Sequence, residues 1–288
     1  MNGVESVTAA LHADELHWSP DGCASLGGGL LNSAVKLDAM FRDLGRDFGA
    51  DESRFPSMIA AAALAPVGYL KSFPHHATFA ASARRDQLAK LAQNGPCEPI
   101  PADTLETVSH VLTPAACYHF YPRLAGRRLD EALYLTTACQ CHRRENCYEL
   151  LRRQWCFWMR EIVCIGTRET VERFTVSCQL RINTGLRRLG LDASWQTATD
   201  SFFDPAHDPK ALAQRVEPAK LELCLPDGLA VASINSHRSF FGECFGIRMA
   251  DEAAHSACVA FGIERWLFAL LARYGADPAD WPSLDVPL

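Results

Sequence analysis

Three stretches of the chain repeat apolar residues at the spacing of a helix. Between residues 30 and 44 the apolar positions recur every three or four residues: Leu30, Leu31, Val35, Leu37, Met40, Phe41 and Leu44. This spacing predicts an amphipathic helix that begins after Gly27–Gly29 and ends near Gly45 or Gly49. A second helix is predicted from Val171 to Leu191, and a third begins near Gly262.

Shorter apolar runs predict strands. Leu133–Leu135 and Ile162–Ile165 are short apolar runs that contain aromatic or β-branched residues and flank a charged stretch, so we expect two antiparallel strands joined by a loop. A second hairpin is predicted from Lys220–Leu225 and Leu229–Ile234, because Pro-Asp-Gly separates the two runs. A short strand is expected over Phe55–Ile59.

The charged stretch of the first hairpin is rich in arginine. It contains Arg143, Arg144, Glu145, Arg152, Arg153, Arg160 and Glu161. Arginines between two buried strands indicate an anion site, since guanidinium groups bind phosphate oxygens bidentately. The alternative is a solvated hairpin with surface charges. When this stretch is considered alone, the solvated hairpin is the favoured interpretation.

Composition narrows the class of protein. The 288 residues are 48% hydrophobic and 22% charged, as in a folded globular protein, and suffice for one large domain or two small ones. A net charge of −6 argues against general binding to a nucleic-acid backbone. The first residues lack a signal-peptide pattern and no apolar run is long enough for a membrane span, so we expect a cytoplasmic protein whose twelve cysteines are reduced.

Several local motifs are weak candidates for chemistry. Gly27–Gly29 lacks the Lys-Ser/Thr of a phosphate loop, and His75-His76 has no partner at metal spacing. A second cluster combines Cys139, Cys141, His142 and Cys147. Its spacing does not match a structural zinc site. Cys139 and Cys141 alternate on a strand and face the same side, so we expect these two to pack in the interior.

Three separated motifs together carry a family resemblance. Arg143 and Glu145 open the first hairpin, Phe157–Glu161 closes it, and Gly262 and Arg265 open the last helix. They resemble motifs two and three of class II aminoacyl-tRNA synthetases, and Phe55-Pro56 lies where the motif-one proline falls.

The segment WMREIVCIG is most similar to the zinc-dependent seryl-tRNA synthetases of methanogens. At this length, with no tRNA-binding arm before the catalytic core, the chain resembles their truncated relatives, the amino acid:carrier protein ligases. The resemblance covers roughly Leu16 to Tyr274.

The resemblance implies both a fold and an activity. The fold is an α+β, class II synthetase-like domain over residues 1–288, with an antiparallel sheet of about six strands flanked by helices. The protein is expected to be a homodimer through the region around motif one. The activity is ATP-dependent activation of a small amino acid, glycine or alanine, followed by transfer to the phosphopantetheine thiol of a carrier protein. No tRNA partner is expected.

The resemblance also assigns residues to ATP. Arg143 would hold the α-phosphate, Glu145 would accept from the adenine amino group, and Phe157 would stack on adenine. Fixed positive charge is what adenylate formation needs, because negative charge develops on the phosphate under attack.

The terminal phosphates are assigned to two further arginines. Arg265 would bind the γ-phosphate. Arg153 lies four residues before Phe157, as the arginine that binds the terminal phosphate does in the family, and Arg152 is an equal alternative for this role. The acidic residue that holds Mg²⁺ in seryl-tRNA synthetases is missing from the matching segment. Glu222 is the remaining carboxylate for this role.

A metal site and a substrate site complete the resemblance. Cys117, Glu161 and Cys258 match the three zinc ligands of the family, whose open fourth position takes the amino group of the substrate. Ser233 and Asn235 are expected to face the substrate.

Two alternative functions remain open at this point. One is a ligase that shares the activation step but charges tRNA or another small acceptor. The other is a non-catalytic paralogue that binds an amino acid and regulates. The arginine-bearing helix Val171–Leu191 could dock an acidic carrier protein or could be an ordinary solvated helix.

Overall fold

The computed structural model describes Ala9 and residues 15–93 and 99–288. The strands in these ranges are β1 (Leu16–Ser19), β2 (Cys23–Leu26), β3 (Asp51–Glu52), β4 (Met58–Ala60), β5 (Phe79–Ala80), β6 (His110–Leu112), β7 (Arg128–Leu129), β8 (Leu133–His142), β9 (Cys156–Gly166), β10 (Ser194–Ala198), β11 (Lys220–Cys224), β12 (Ala230–Arg238), β13 (Arg248–Met249), β14 (Glu252–Ala253) and β15 (His255–Gly262). The long helices are α1 (Gly28–Arg46), α6 (Arg168–Arg188) and α9 (Ile263–Tyr274). The shorter ones are α2 (Ala61–Leu64), α3 (Tyr69–Ser72), α4 (Leu88–Gln93), α5 (Phe120–Arg123), α7 (Pro209–Val216) and α8 (Phe240–Phe245).

A large sheet organises these elements. Its central strands β8, β9, β15, β12, β11 and β10 pair antiparallel in that order. The β1–β2 hairpin adds to β9 through one parallel bridge, and β3 adds to β8. The predicted α+β fold, with an antiparallel sheet of about six strands flanked by helices, is therefore confirmed.

One face of this sheet is covered by α1, α6 and α9. The apolar stripe of α1 meets the sheet at Phe41, whose ring stacks on Phe261 of β15 with centroids 4.1 Å apart. Trp266 of α9 packs against the same ring at 5.1 Å. Such aromatic pairs add about 0.5–1.5 kcal/mol each beyond the area they bury. The main hydrophobic core therefore lies between the sheet and these three helices, and the opposite face of the sheet is not covered by them.

Several strands differ from the prediction in length or position. The hairpin strands are 10 and 11 residues long, because threonine, cysteine and charged residues on their second face extend the short apolar runs. β15 was not predicted as a strand, since it is buried on both faces and shows no alternation. The strand expected at Phe55 begins at Met58, and the Phe55 ring stacks on His119 instead.

Residues on β9 alternate between the two faces of the sheet, and Arg160 points toward the helices. Its side chain is 2% exposed, and its guanidinium binds Asp38 at 2.6 Å and Glu52 at 2.9 Å.

No helix among residues 15–93 and 99–288 is long and apolar enough to cross a membrane.

Replacing Arg160 with alanine is expected to lower the free energy of unfolding by about 2–3 kcal/mol. The reason is that two carboxylates lose a buried cation and a cavity remains, although both carboxylates keep some contact with solvent. Urea unfolding followed by circular dichroism measures the change. Arg168→Ala is the control, since the Arg168–Glu172 pair is exposed and should contribute less than about 0.5 kcal/mol. Equal stability of the two variants would contradict this account of Arg160.

Candidate active site

The register of four strands brings polar side chains together on the face opposite the helices. Glu161 of β9 lies across from Ala260 of β15, Ala260 from Ser233 of β12, and Ser233 from Glu222 of β11. Residues directly opposite one another in adjacent strands share a face of the sheet. They form the floor of a cavity of about 500 Å³.

The cavity contains every site residue expected from the sequence. Its lining includes Cys117, Arg143, Glu145, Arg153, Phe157, Glu161, Glu222, Ser233, Asn235, Cys258 and Arg265. These residues come from distant parts of the chain, and the fold gathers them around one space.

Arg143 and Phe157 mark one end of the cavity. The Nε–H of Arg143 donates to the carbonyl oxygen of Pro114 at 2.9 Å, and its guanidinium lies 5.6 Å from the centre of the Phe157 ring. This fixes the direction of the guanidinium and leaves both Nη groups for an anion. The Glu145 carboxylate lies 4.0 Å from Arg153 Nη1 and 4.0 Å from His76 Nδ1.

The two adjacent arginines of the hairpin have different environments. Arg152 forms ion pairs with Glu149 and Asp227 and lies 4.7 Å above the ring of Phe268. Arg153 keeps 48% of its side chain exposed and lies near Glu145. Arg153 is therefore the better placed of the two to bind a ligand in the cavity.

Helix α9 begins at the cavity and places two charged residues in its first turn. Arg265 donates to the carbonyl oxygens of Arg152 at 2.8 Å and Ala230 at 2.9 Å, which holds the guanidinium in place. Glu264, which sequence reasoning missed, accepts hydrogen bonds from the backbone N–H of Trp158 at 2.9 and 3.0 Å. Burial raises the pKa of Glu264 to about 7.

Cys117, Glu161 and Cys258 form a compact buried group. Their ligand atoms all lie within 4.8 Å of one another, and no other trio of potential ligands in the described part of the chain is so close. The backbone N–H of Cys117 donates to Glu161 Oε1 at 3.2 Å, and Asn235 Nδ2 donates to Cys258 Sγ at 3.5 Å. The Cys258 thiol, followed by burial, raises the pKa of Cys117 well above its usual range.

The chemistry of this donor set fits Zn²⁺. Two thiolates and one carboxylate are common zinc ligands, and three protein ligands leave a position open to a substrate. The alternative cluster does not assemble in the same way: Cys139 and Cys141 are buried and pack near Met159 and Ala116, as expected for interior cysteines.

The structure adds three polar residues that the sequence did not single out. Lys220 Nζ lies 2.8 Å from Glu222 Oε1 and 3.2 Å from Asp200 Oδ1, and Gln214 donates to Asp200 at 2.9 Å. Lys220 could have been found from the period of two on β11, since it precedes Glu222 by two residues. Asp200 lies outside any helix or strand, so no periodicity points to it.

His76 supports the cavity from the side. Its Nδ1 lies 3.0 Å from the carbonyl oxygen of Arg144 and its Nε2 lies 2.7 Å from Ser201 Oγ. Burial, before other causes, lowers the pKa of His76. His76 therefore connects the hairpin to the segment that carries Asp200, and this fits a packing role.

Comparison with known proteins decides the family. The chain is 36% identical over 274 residues to amino acid–acyl-carrier-protein ligase 1 of Bradyrhizobium diazoefficiens, covering 88% of this chain and 81% of that protein. It is 34% identical to ligase 2 of the same organism, covering 88% and 78%. The chain belongs to the amino acid–acyl-carrier-protein ligase family. No family model matches the sequence.

More distant proteins are similar to this chain over part of their sequence or in fold alone. A type-2 serine–tRNA ligase of Methanococcus maripaludis is 26% identical over 82% of this chain and 50% of its own length. A solved structure of M. kandleri SerRS in complex with A. aeolicus tRNASec superposes with a TM-score of 0.81 at 19% identity, over 96% of this chain and 59% of that one. These neighbours support the class II synthetase fold.

Proposed function

We propose that this ligase uses ATP to form the adenylate of glycine or alanine and transfers the aminoacyl group to the phosphopantetheine thiol of a carrier protein. The names of its relatives supply the reaction class. The observation that carries the proposal is one cavity that joins an arginine-lined end to the Cys117–Glu161–Cys258 group. An amino acid that reaches both would place its amine at one and its carboxylate at the other.

In the first step, Arg143 and Arg265 bind the phosphates of ATP while Phe157 stacks on adenine. The carboxylate oxygen of the amino acid attacks the α-phosphorus, and the bond to pyrophosphate breaks. Positive groups held in place by backbone carbonyls stabilise the charge that develops, without reorganising during the reaction. Glu145 accepts from the adenine amino group and Arg153 binds the terminal phosphates. Glu222 would help to hold Mg²⁺.

Cys117, Glu161 and Cys258 select the amine. These three groups would hold a Zn²⁺ ion, which would supply a Lewis-acid position for an unprotonated amino group. Asn235 and Ser233 lie beside Cys258 on the cavity floor, linked by a 3.0 Å hydrogen bond, and face the bound amino acid.

In the second step, the thiolate of phosphopantetheine attacks the acyl carbon, a thioester forms and AMP leaves. This transfer needs no nucleophile from the protein. The carrier protein is the acceptor in this proposal and tRNA is not, and the protein acts as a homodimer.

The first experiment is ATP–pyrophosphate exchange with each of the twenty amino acids, with zinc content measured on the same sample. We expect exchange with glycine or alanine and one zinc per chain. Absence of exchange with every amino acid, in a folded zinc-loaded protein, would favour the regulatory alternative.

The acceptor is tested separately. A phosphopantetheinylated carrier protein should gain the labelled amino acid, and its unmodified form should gain none. Labelling of bulk tRNA in place of the carrier would instead identify a tRNA-charging enzyme.

A further inference from the structure

The Asp200–Lys220 ion pair lies in the cavity but has no role in the two steps above. Lys220 is 16% exposed at the side chain and forms ion pairs with both Asp200 and Glu222. Asp200 is held in turn by Gln214, whose amide nitrogen donates to it and whose carbonyl accepts from its backbone N–H at 3.0 Å. The group is thus a closed network of four residues.

Strand register gives the position of this network relative to the metal ligands. Cys258 of β15 lies across from Asn235 of β12, and Asn235 lies across from Lys220 of β11. This row runs across the strands. The direction from Glu161 toward Phe157, at the nucleotide end, instead runs along β9.

The amine, the carboxylate and the side chain of a substrate amino acid must extend along these two directions. Under the proposed function its amine lies at the Cys117–Glu161–Cys258 group and its carboxylate lies toward Arg143. The side chain then lies over Asn235 and points across the strands at Lys220. Asp200, on the segment between β10 and α7, lines the cavity and lies 3.2 Å from Lys220, so it is on the same side of the cavity as the lysine.

We propose that Lys220 and Asp200 form the wall of the side-chain subsite and limit the substrate to a hydrogen or methyl side chain. The inference rests on the proposed function. A larger apolar side chain would displace the ammonium from its two carboxylates, and buried charges without partners are costly. The wall therefore selects by charge pairing as well as by size.

Lys220→Ala is expected to change which amino acid the protein prefers. Removing the lysine leaves space and leaves the Asp200 carboxylate without its cation, whereas Glu222 would still have the Mg²⁺ of the proposed function. A basic amino acid such as 2,4-diaminobutyrate or ornithine should supply the missing ammonium. We expect the ratio of exchange rates with these amino acids over alanine to rise by about tenfold or more, as pocket changes of this kind allow.

Two further variants isolate the charge and the wall. Lys220→Ala combined with Asp200→Asn should lose most of the gain for basic amino acids. Asp200→Ala alone opens the wall from the other side and should admit norvaline and leucine. Lys36→Ala is the matched control, because the Lys36–Asp285 pair is exposed and distant from the cavity lining.

A binding measurement separates this inference from catalysis. Calorimetry with the sulfamoyl analogues of glycyl, alanyl and ornithyl adenylate should show the same change of preference in the zinc-loaded variant. Should the wild-type protein exchange with no amino acid, the proposed function and this inference both fail. Should the wild type use glycine or alanine while neither Lys220→Ala nor Asp200→Ala alters the profile of exchange or binding, only the inference is overturned.

Discussion

Replacing Cys258 with alanine is expected to abolish both zinc binding and amino-acid-dependent pyrophosphate exchange. Under the proposed function two ligands of the buried group would remain, Cys117 and Glu161, and two protein ligands are too few to retain the ion. The loss of exchange should exceed the roughly 10–100-fold that changes to outer-shell partners cause. Zinc content by atomic emission and exchange with glycine or alanine are measured on one preparation.

Cys164→Ala is the matched control. Cys164 is a fully buried thiol on the same strand as Glu161, but it packs in the core against the helices. It should keep its zinc and its exchange activity while losing some stability. A Cys258→Ala protein that retains one zinc per chain would contradict the assignment of the ligands.

The comparison of Cys117 with Cys258 shows where sequence reasoning needed the resemblance. Considered alone, each is a typical buried cysteine, and the long separation between them carries no metal spacing. The fold brings them together because β15 pairs with β9, which places Cys258 on the face that carries Glu161. Local periodicity could predict α1 and the hairpin, but it could not predict that β15 joins them.

The residues that were missed have a common physical reason. Lys220 and Glu264 are charged side chains on largely apolar elements, and their contacts depend on partners from distant segments. Asp200 lies in an irregular segment, where neither a period of two nor one of 3.6 gives a direction. Such side chains become visible only when the sheet register is known.

The cavity floor also explains why the charged hairpin is not a solvated one. Glu161 is 1% exposed and Arg160, its neighbour on β9, is 2% exposed, so the alternation of this strand buries a charge on each face. Arg160 is satisfied by two carboxylates on the helix side. Glu161 instead lies beside two thiols, an arrangement that favours a cation between them.

Replacing Arg143 with alanine is the second change for which we expect a large effect. Its Nε–H is held by Pro114, and the guanidinium lies beside Phe157, so the remaining N–H groups are oriented before ATP binds. Loss of such a preorganised donor typically lowers a rate by about 10²–10³, or about 3–4 kcal/mol of transition-state stabilisation. We expect this fall in kcat for pyrophosphate exchange, with zinc content unchanged.

Arg144→Ala is the control, because Arg144 is adjacent in sequence but exposed and absent from the cavity lining. It should keep exchange within about twofold of the wild type, as expected for surface changes remote from the chemistry. Arg143→Lys should recover only part of the rate, since lysine retains the charge but cannot bind phosphate bidentately or keep the Pro114 contact in the same geometry. A change in KM alone, with kcat preserved in Arg143→Ala, would mean that Arg143 binds ATP without stabilising the transition state.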